Sequence, residues 1–265
     1  MEGIGKIREF FAEHSGKYVV IGGAACHMIF SELGADFRPT KDVDMVLIVD
    51  TVERGFAQAF KAFLDAGQYE ARERSDKRRE FYRFHRPQVA GFPAQLEVFA
   101  RSPDGIDFPE GTNIIPIEVE DDVLSLSAIL LNDVYFKELV NGRREIDGVT
   151  VLNEAMLIPF KAFAHIQLLN PPEGAPKPNT KDIRKHRADV YRLLTLIPGD
   201  SRVSIPDEIK ADLNRFIEII QADGGFDPRN QDIDLEKEEG IRLLRSIYQL
   251  EPATQADAVA EMAAG

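Results

Sequence analysis

The chain has 265 residues, 44% hydrophobic and 29% charged, which suits one large domain or two modest ones with a real core. No stretch approaches the roughly 18 uninterrupted apolar residues of a membrane span, and Met1 to Phe11 mixes Glu2, Lys6, Arg8 and Glu9 with apolar residues, unlike a signal peptide. The single cysteine, Cys26, excludes an intrachain disulfide, and the net charge of −13 argues against a nucleic-acid binder that works through its whole surface.

Residues 4–14 place Ile4, Ile7, Phe10 and Phe11 on one side of a helical repeat. Gly16 stops that helix, and Tyr18 to Ile21 predicts a buried strand running into Gly22-Gly23. Ala24 to Leu33 predicts a helix ended by Gly34. Pro39 keeps the chain extended before a second buried strand over Val43 to Val49. Thr51 is placed to cap a helix reaching about Ala66. Residues 79–85, 94–100 and 113–118 read as three further strands. Residues 125–140 read as helix, and Asp147-Gly148 as a hairpin turn. Beyond Asn153 the pattern is helical over 153–169, 180–196, 206–222 and 235–249, broken by a proline-rich loop from Asn170 to Thr180. The expected class is α/β of the α+β kind, with a mixed-sheet domain over 1–150 and a mostly helical domain over 151–265.

The segment Lys41-Asp42-Val43-Asp44-Met45-Val46-Leu47 carries the chemistry. Side chains alternate along a strand, so Asp42 and Asp44 share a face. Two adjacent carboxylates repel and lose solvation, so a cation is the natural neutraliser at the head of an apolar strand. Mg²⁺ (or Mn²⁺) takes such oxygen ligands together with substrate phosphates. The alternative is a solvated strand end. A third carboxylate, Glu97, sits among apolar neighbours in Gln95-Leu96-Glu97-Val98-Phe99. It reads either as the ion-pair partner of an Arg such as Arg83 or, preferably, as a third metal ligand.

Gly22-Gly23 lies between a strand and a helix start. Bare backbone there lets a phosphate approach the N–H groups and dipole of the new helix. Neither a dinucleotide fingerprint nor a Walker A loop is present, and a plain tight turn is the alternative.

Taken together, these features resemble the nucleotidyltransferase superfamily. Val20-Ile21-Gly22-Gly23-Ala24-Ala25, Thr40-Lys41-Asp42-Val43-Asp44, Leu157 to Ala164 and Lys185 to Leu193 are similar to its AbiEii-like branch, known from abortive-infection and toxin–antitoxin systems. The resemblance implies a catalytic domain over 1–150 and a metal-dependent attack of a hydroxyl on the α-phosphate of an NTP, with pyrophosphate leaving. It implies Asp42, Asp44 and Glu97 as metal ligands, with Glu97 alternatively the base, and Gly22, Gly23, Ala24 and Lys41 around the triphosphate. Lys161 and Asp189 match a Lys and an Asp on successive helices of the branch, and Asp182 competes with Asp189 because the proline-rich loop lengthens the gap. Ala24 replaces a small hydroxyl residue that many relatives carry. The implied acceptor is a tRNA 3′ end or a protein side chain, and an antitoxin is the implied partner. The alternatives are an inactive nucleotide-binding module of the same fold and an antibiotic-modifying transferase.

Lys161 otherwise reads as a lysine whose stem covers core while its ammonium reaches water, and His165 as a core or surface histidine. Lys177, Lys181, Arg184, Lys185, Arg187 and Arg192 reverse the sign of this acidic chain locally, opposed only by Asp182 and Asp189. They attract a phosphate-bearing substrate or form a solvated helix face. Arg72, Arg74, Lys77, Arg78 and Arg79 make a second basic cluster. A cytoplasmic protein with no membrane contact is expected.

Overall fold

The computed structural model describes residues 3–48, 54–69, 81–99, 132–171 and 179–251. Within them the β-branched and aromatic runs form one sheet. Its strands are β1 (Tyr18–Ile21), β2 (Asp42–Leu47), β3 (Phe81–His85), β4 (Gln95–Phe99), β5 (Arg143–Ile146) and β6 (Val149–Leu152), in the order β3-β4-β2-β1-β6-β5. β1 runs antiparallel to β2 and parallel to β6, while β2 runs parallel to β4. The sheet is therefore mixed, as the sequence predicts. β1 is buried at every position, as a near-continuous apolar run covered on both faces should be. β5 and β6 form the expected hairpin. Asp147 and Gly148 at its turn have φ of 48° and 77°, the positive values a tight two-residue connection needs.

The helices are α1 (Ile4–Phe11), α2 (Gly22–Glu32), α3 (Arg54–Gly67), α4 (Asp133–Asn141), α5 (Glu154–Leu169), α6 (Thr180–Leu194), α7 (Asp207–Ala222) and α8 (Lys237–Tyr248). α1 and α3 pack together through Phe11, whose ring lies 5.6 Å from Phe56 and 5.3 Å from Phe63. α5 touches α2, α4, α6 and α7, and its apolar residues are buried around most of its circumference. Asn153 caps it by accepting a 2.9 Å hydrogen bond from the Met156 N–H. Pro159 lies inside α5 and has no N–H to offer the Ala155 carbonyl. The Tyr248 hydroxyl of α8 supplies the missing donor at 2.6 Å.

Observed bounds depart from the sequence reading in one informative place. α2 begins at Gly22 rather than Ala24, so both glycines belong to the helix's first turn. Among the described residues one buried apolar cluster includes members from Ile7 to Leu250, and β6 ends at Leu152, just before α5 starts at Glu154. Among the described residues no helix is long and apolar enough to cross a membrane. The expected strand at 113–118, Thr51, the 72–79 basic cluster and Lys177 lie outside the described residues.

Candidate functional site

Strand register decides which carboxylates meet. β2 and β4 are parallel neighbours, with Asp42 opposite Gln95 and Asp44 opposite Glu97. Paired residues on adjacent strands, about 4.8 Å apart, point to the same face. Asp42, Asp44, Gln95 and Glu97 accordingly form a two-by-two array, and all four line one cavity of about 340 Å³. Exposure falls from Asp42, which is exposed, through Asp44, which is half-buried, to Glu97, which is 5% exposed. Gln95 Nε2 donates to Glu97 Oε1 at 2.9 Å. The β3 position opposite Glu97 is Arg83, whose side chain lies outside the described residues. Among the described residues no group of three or more His, Cys, Asp or Glu side chains is arranged so that it could hold a metal ion by itself.

The glycine turn borders the same array. Gly22 and Gly23 line the cavity, and Ile21, the N-cap of α2, makes no side-chain capping bond. The N-terminal end of α2 is therefore part of the cavity wall. Gly22 has φ of +66°, and a Cβ built on it would fall 1.9 Å from Asp44 Oδ2. Both facts demand glycine: the left-handed backbone, and a carboxylate laid against the Cα. A Cβ at Gly23 would come within 2.8 Å of Thr40 Oγ1. Ala24 differs, since its side chain is fully buried and does not line the cavity.

These observations make a controlled prediction. Gly34 has nearly the same φ, +69°, with nothing near its would-be Cβ. Gly34→Ala should therefore cost only the left-handed backbone strain, about 1–2 kcal/mol. Gly22→Ala should cost about that much again, because the Asp44 carboxylate must also move. Urea unfolding of the two variants measures the difference, and equal losses would show that Asp44 yields freely.

The same cavity also has a basic lining. Leu157, Phe160, Lys161 and Ala164 line the cavity from one face of α5, a spacing of one helical stripe. Lys161 is 4% exposed, so its ammonium does not escape to bulk water. Its Nζ lies 3.1 Å from Asp189 Oδ2. Asp189, on α6, is fully buried and sits behind the lining rather than in it. Asp182 pairs instead with Lys185 at 3.3 Å, so Asp189 is the carboxylate joined to Lys161. Burial alone would push the Asp189 carboxyl up. The Lys161 charge and the Arg38 hydrogen bond outweigh it and hold the group well below the usual carboxylate range.

Arg38 was not singled out by the sequence reading. It donates to Asp189 with both prongs, Nε to Oδ1 at 2.8 Å and Nη2 to Oδ2 at 2.6 Å, and it also lines the cavity. Lys41, Lys185 and His186 complete the basic lining. Elsewhere in the 177–192 segment Arg187 pairs with Asp223 and lies over the Phe226 ring, Arg192 donates to the Gln231 carbonyl at 2.9 Å, and Lys181 and Arg184 are exposed. His165 is a core residue. Its Nδ1 lies 2.9 Å from the Ile183 carbonyl, and burial pulls its pKa down to about 4, so it is neutral at pH 7. Cys26 is fully buried, and burial pushes its thiol up to about 12.

The cavity is thus lined by three carboxylates and by four Lys and Arg side chains plus His186. No family model matches the chain, and no curated protein matches it.

Proposed function

We propose that the chain is a metal-dependent nucleotidyltransferase that moves an NMP from an NTP to a hydroxyl acceptor. The observation that carries this reading is the pairing of Asp44 with Glu97 on adjacent parallel strands, beside the bare Gly22 turn and in the same cavity as Lys161. A hard divalent cation fits the donor set, which is all oxygen, and Mg²⁺ characteristically shares its shell between one or two carboxylates and substrate phosphates. Asp42, Asp44 and Glu97 would hold it. When bound, the cation polarises the α-phosphate and neutralises charge that builds there.

The remaining work belongs to the chain's own groups. Lys161 meets the phosphates as a point charge in a dry setting. The N-terminal end of α2 offers backbone N–H groups to the same anion. Bond-making is between the acceptor oxygen and the α-phosphorus; bond-breaking releases pyrophosphate. The proton of the acceptor hydroxyl passes to a carboxylate of the array, for which Glu97, the most buried, is the candidate base. The apolar stripe of Leu157, Phe160 and Ala164 suits the base or sugar of the nucleotide. The AbiEii-like resemblance supports a tRNA 3′ end or a protein side chain as acceptor, and the basic lining favours an acceptor that itself carries phosphates.

Incubating the chain with α-labelled NTPs, Mg²⁺ and either total tRNA or protein acceptors tests this. Label should transfer with release of pyrophosphate, and chelation should stop it. Tight nucleotide binding with no transfer to any acceptor would instead make the chain a binding module of the same fold.

A further inference from the structure

Asp189 carries one negative charge and faces three cations. Arg38 takes both of its oxygens, Lys161 shares Oδ2, and Arg192 lies 3.4 Å from Oδ1. Arg192 is spent elsewhere, on the Gln231 carbonyl. Arg38 and Lys161 are not, and both line the cavity. One buried carboxylate cannot neutralise both, so both keep positive charge toward the cavity, where Asp44 also acts on Arg38. The Arg38 side chain is 22% exposed, and its planar fork spends only part of its N–H donors on Asp189. A Cβ added to Gly23 would lie 3.7 Å from Arg38 Nη2, so the first turn of α2 abuts the same guanidinium. Three sources of positive potential converge: the guanidinium, the buried ammonium and a helix N-terminus.

We infer that Arg38 is a phosphate-binding residue, one arm of a two-armed clamp whose other arm is Lys161, with Asp189 as the positioning residue that fixes both. The ligand is a polyphosphate. That it belongs to a nucleoside triphosphate rests on the transferase reading above. The bidentate bond orients the guanidinium plane before a ligand arrives, which reduces the ordering cost of binding. It also ties the segment before β2 to α6, so the clamp draws its arms from both halves of the fold.

The test is calorimetric titration of inorganic tripolyphosphate, without metal, into the full chain. Arg38→Gln should weaken binding roughly tenfold to a hundredfold, the worth of a charge-assisted hydrogen bond. Arg38→Lys should fall between, because it keeps charge and loses the fork. Lys210→Gln, a charge removed from α7, should stay within about twofold of the parent. Thermal melts with and without tripolyphosphate give the readout that a purely structural role would not move: Arg38→Gln should lose most of the ligand-induced shift, whatever its own melting point. If Arg38→Gln does not fold, the Arg38→Lys affinity decides alone. Parent-like affinity in a folded Arg38 variant, or no tripolyphosphate binding by the parent, overturns the clamp. The two proposals fail separately. Arg38-dependent binding in a chain that transfers no nucleotide retains the clamp and removes the transferase; transfer with an unaltered KM in Arg38→Gln does the reverse.

Discussion

Asp44→Asn is expected to lower nucleotidyl transfer by more than about 100-fold, since even the outer-shell partners of metal ligands are worth about 10–100-fold. The substitution is nearly isosteric and leaves the contact with Gly22 in shape. It removes the charge that the proposed divalent cation would need. Stability should change by less than about 1 kcal/mol, because two small effects oppose each other. The negative charge beside the N-terminus of α2 is lost, at a cost of about 0.3–1 kcal/mol. Repulsion from Glu97, directly opposite on β4, is relieved. Asp42→Asn should follow the same direction with a still smaller effect on folding, because Asp42 is exposed. Transfer assays at saturating Mg²⁺, paired with urea unfolding, measure both quantities. A folded Asp44→Asn protein that transfers at the parental rate would take the carboxylate array out of the chemistry.

Some of this site is legible from local pattern and some is not. Alternation along a strand puts Asp42 with Asp44, and Gln95 with Glu97, using nothing beyond period two. That Asp44 stands opposite Glu97 depends on the β2–β4 register, a tertiary fact with no local signal. The glycines were visible as a strand-to-helix turn, but their reason was not. Gly22 is required because Asp44, from another strand, occupies the space of its side chain. Asp182 and Asp189 are seven residues apart, two helical turns, so periodicity places both on one face of α6 and cannot choose between them. Packing chooses, burying Asp189 against Lys161 while Asp182 pairs with Lys185. Arg38 escaped notice for the same reason. It lies in an irregular segment and meets a partner 151 residues away. The available clue was its place just before Pro39, which holds the following chain extended into β2. Elements were easier to read than contacts because they rest on near neighbours. The helices after Asn153 lie close to the positions their apolar periodicity implies.

Asp189→Ala should destabilise the chain by about 3–5 kcal/mol, the usual penalty for removing one partner of a buried ion pair. The loss comes less from attraction forgone than from what is left behind. Lys161, at 4% exposure, would keep a largely buried ammonium without its ion-pair partner, and Arg38 would lose both its hydrogen bonds to Asp189. The pH must be chosen with the sign in mind. Burial opposes ionisation of Asp189, but Lys161 and Arg38 prevail and its folded pKa is depressed. Its stabilisation is therefore fully present above the ordinary aspartate value of about 3.9 and is lost as pH falls through the lower folded value. Unfolding at neutral pH reads the whole effect. A double variant separates stability from function. Lys161→Met with Asp189→Leu replaces the pair by apolar side chains, an exchange that is often neutral or stabilising for buried ion pairs. It should recover much of the urea midpoint while tripolyphosphate affinity and transfer stay low, because both clamp arms are gone or unheld. Recovery of binding along with stability would mean that the Asp189 cluster serves folding alone. If stability returns without binding, the fold is shown to tolerate an apolar pair here, and the buried charges are explained by the anion they face.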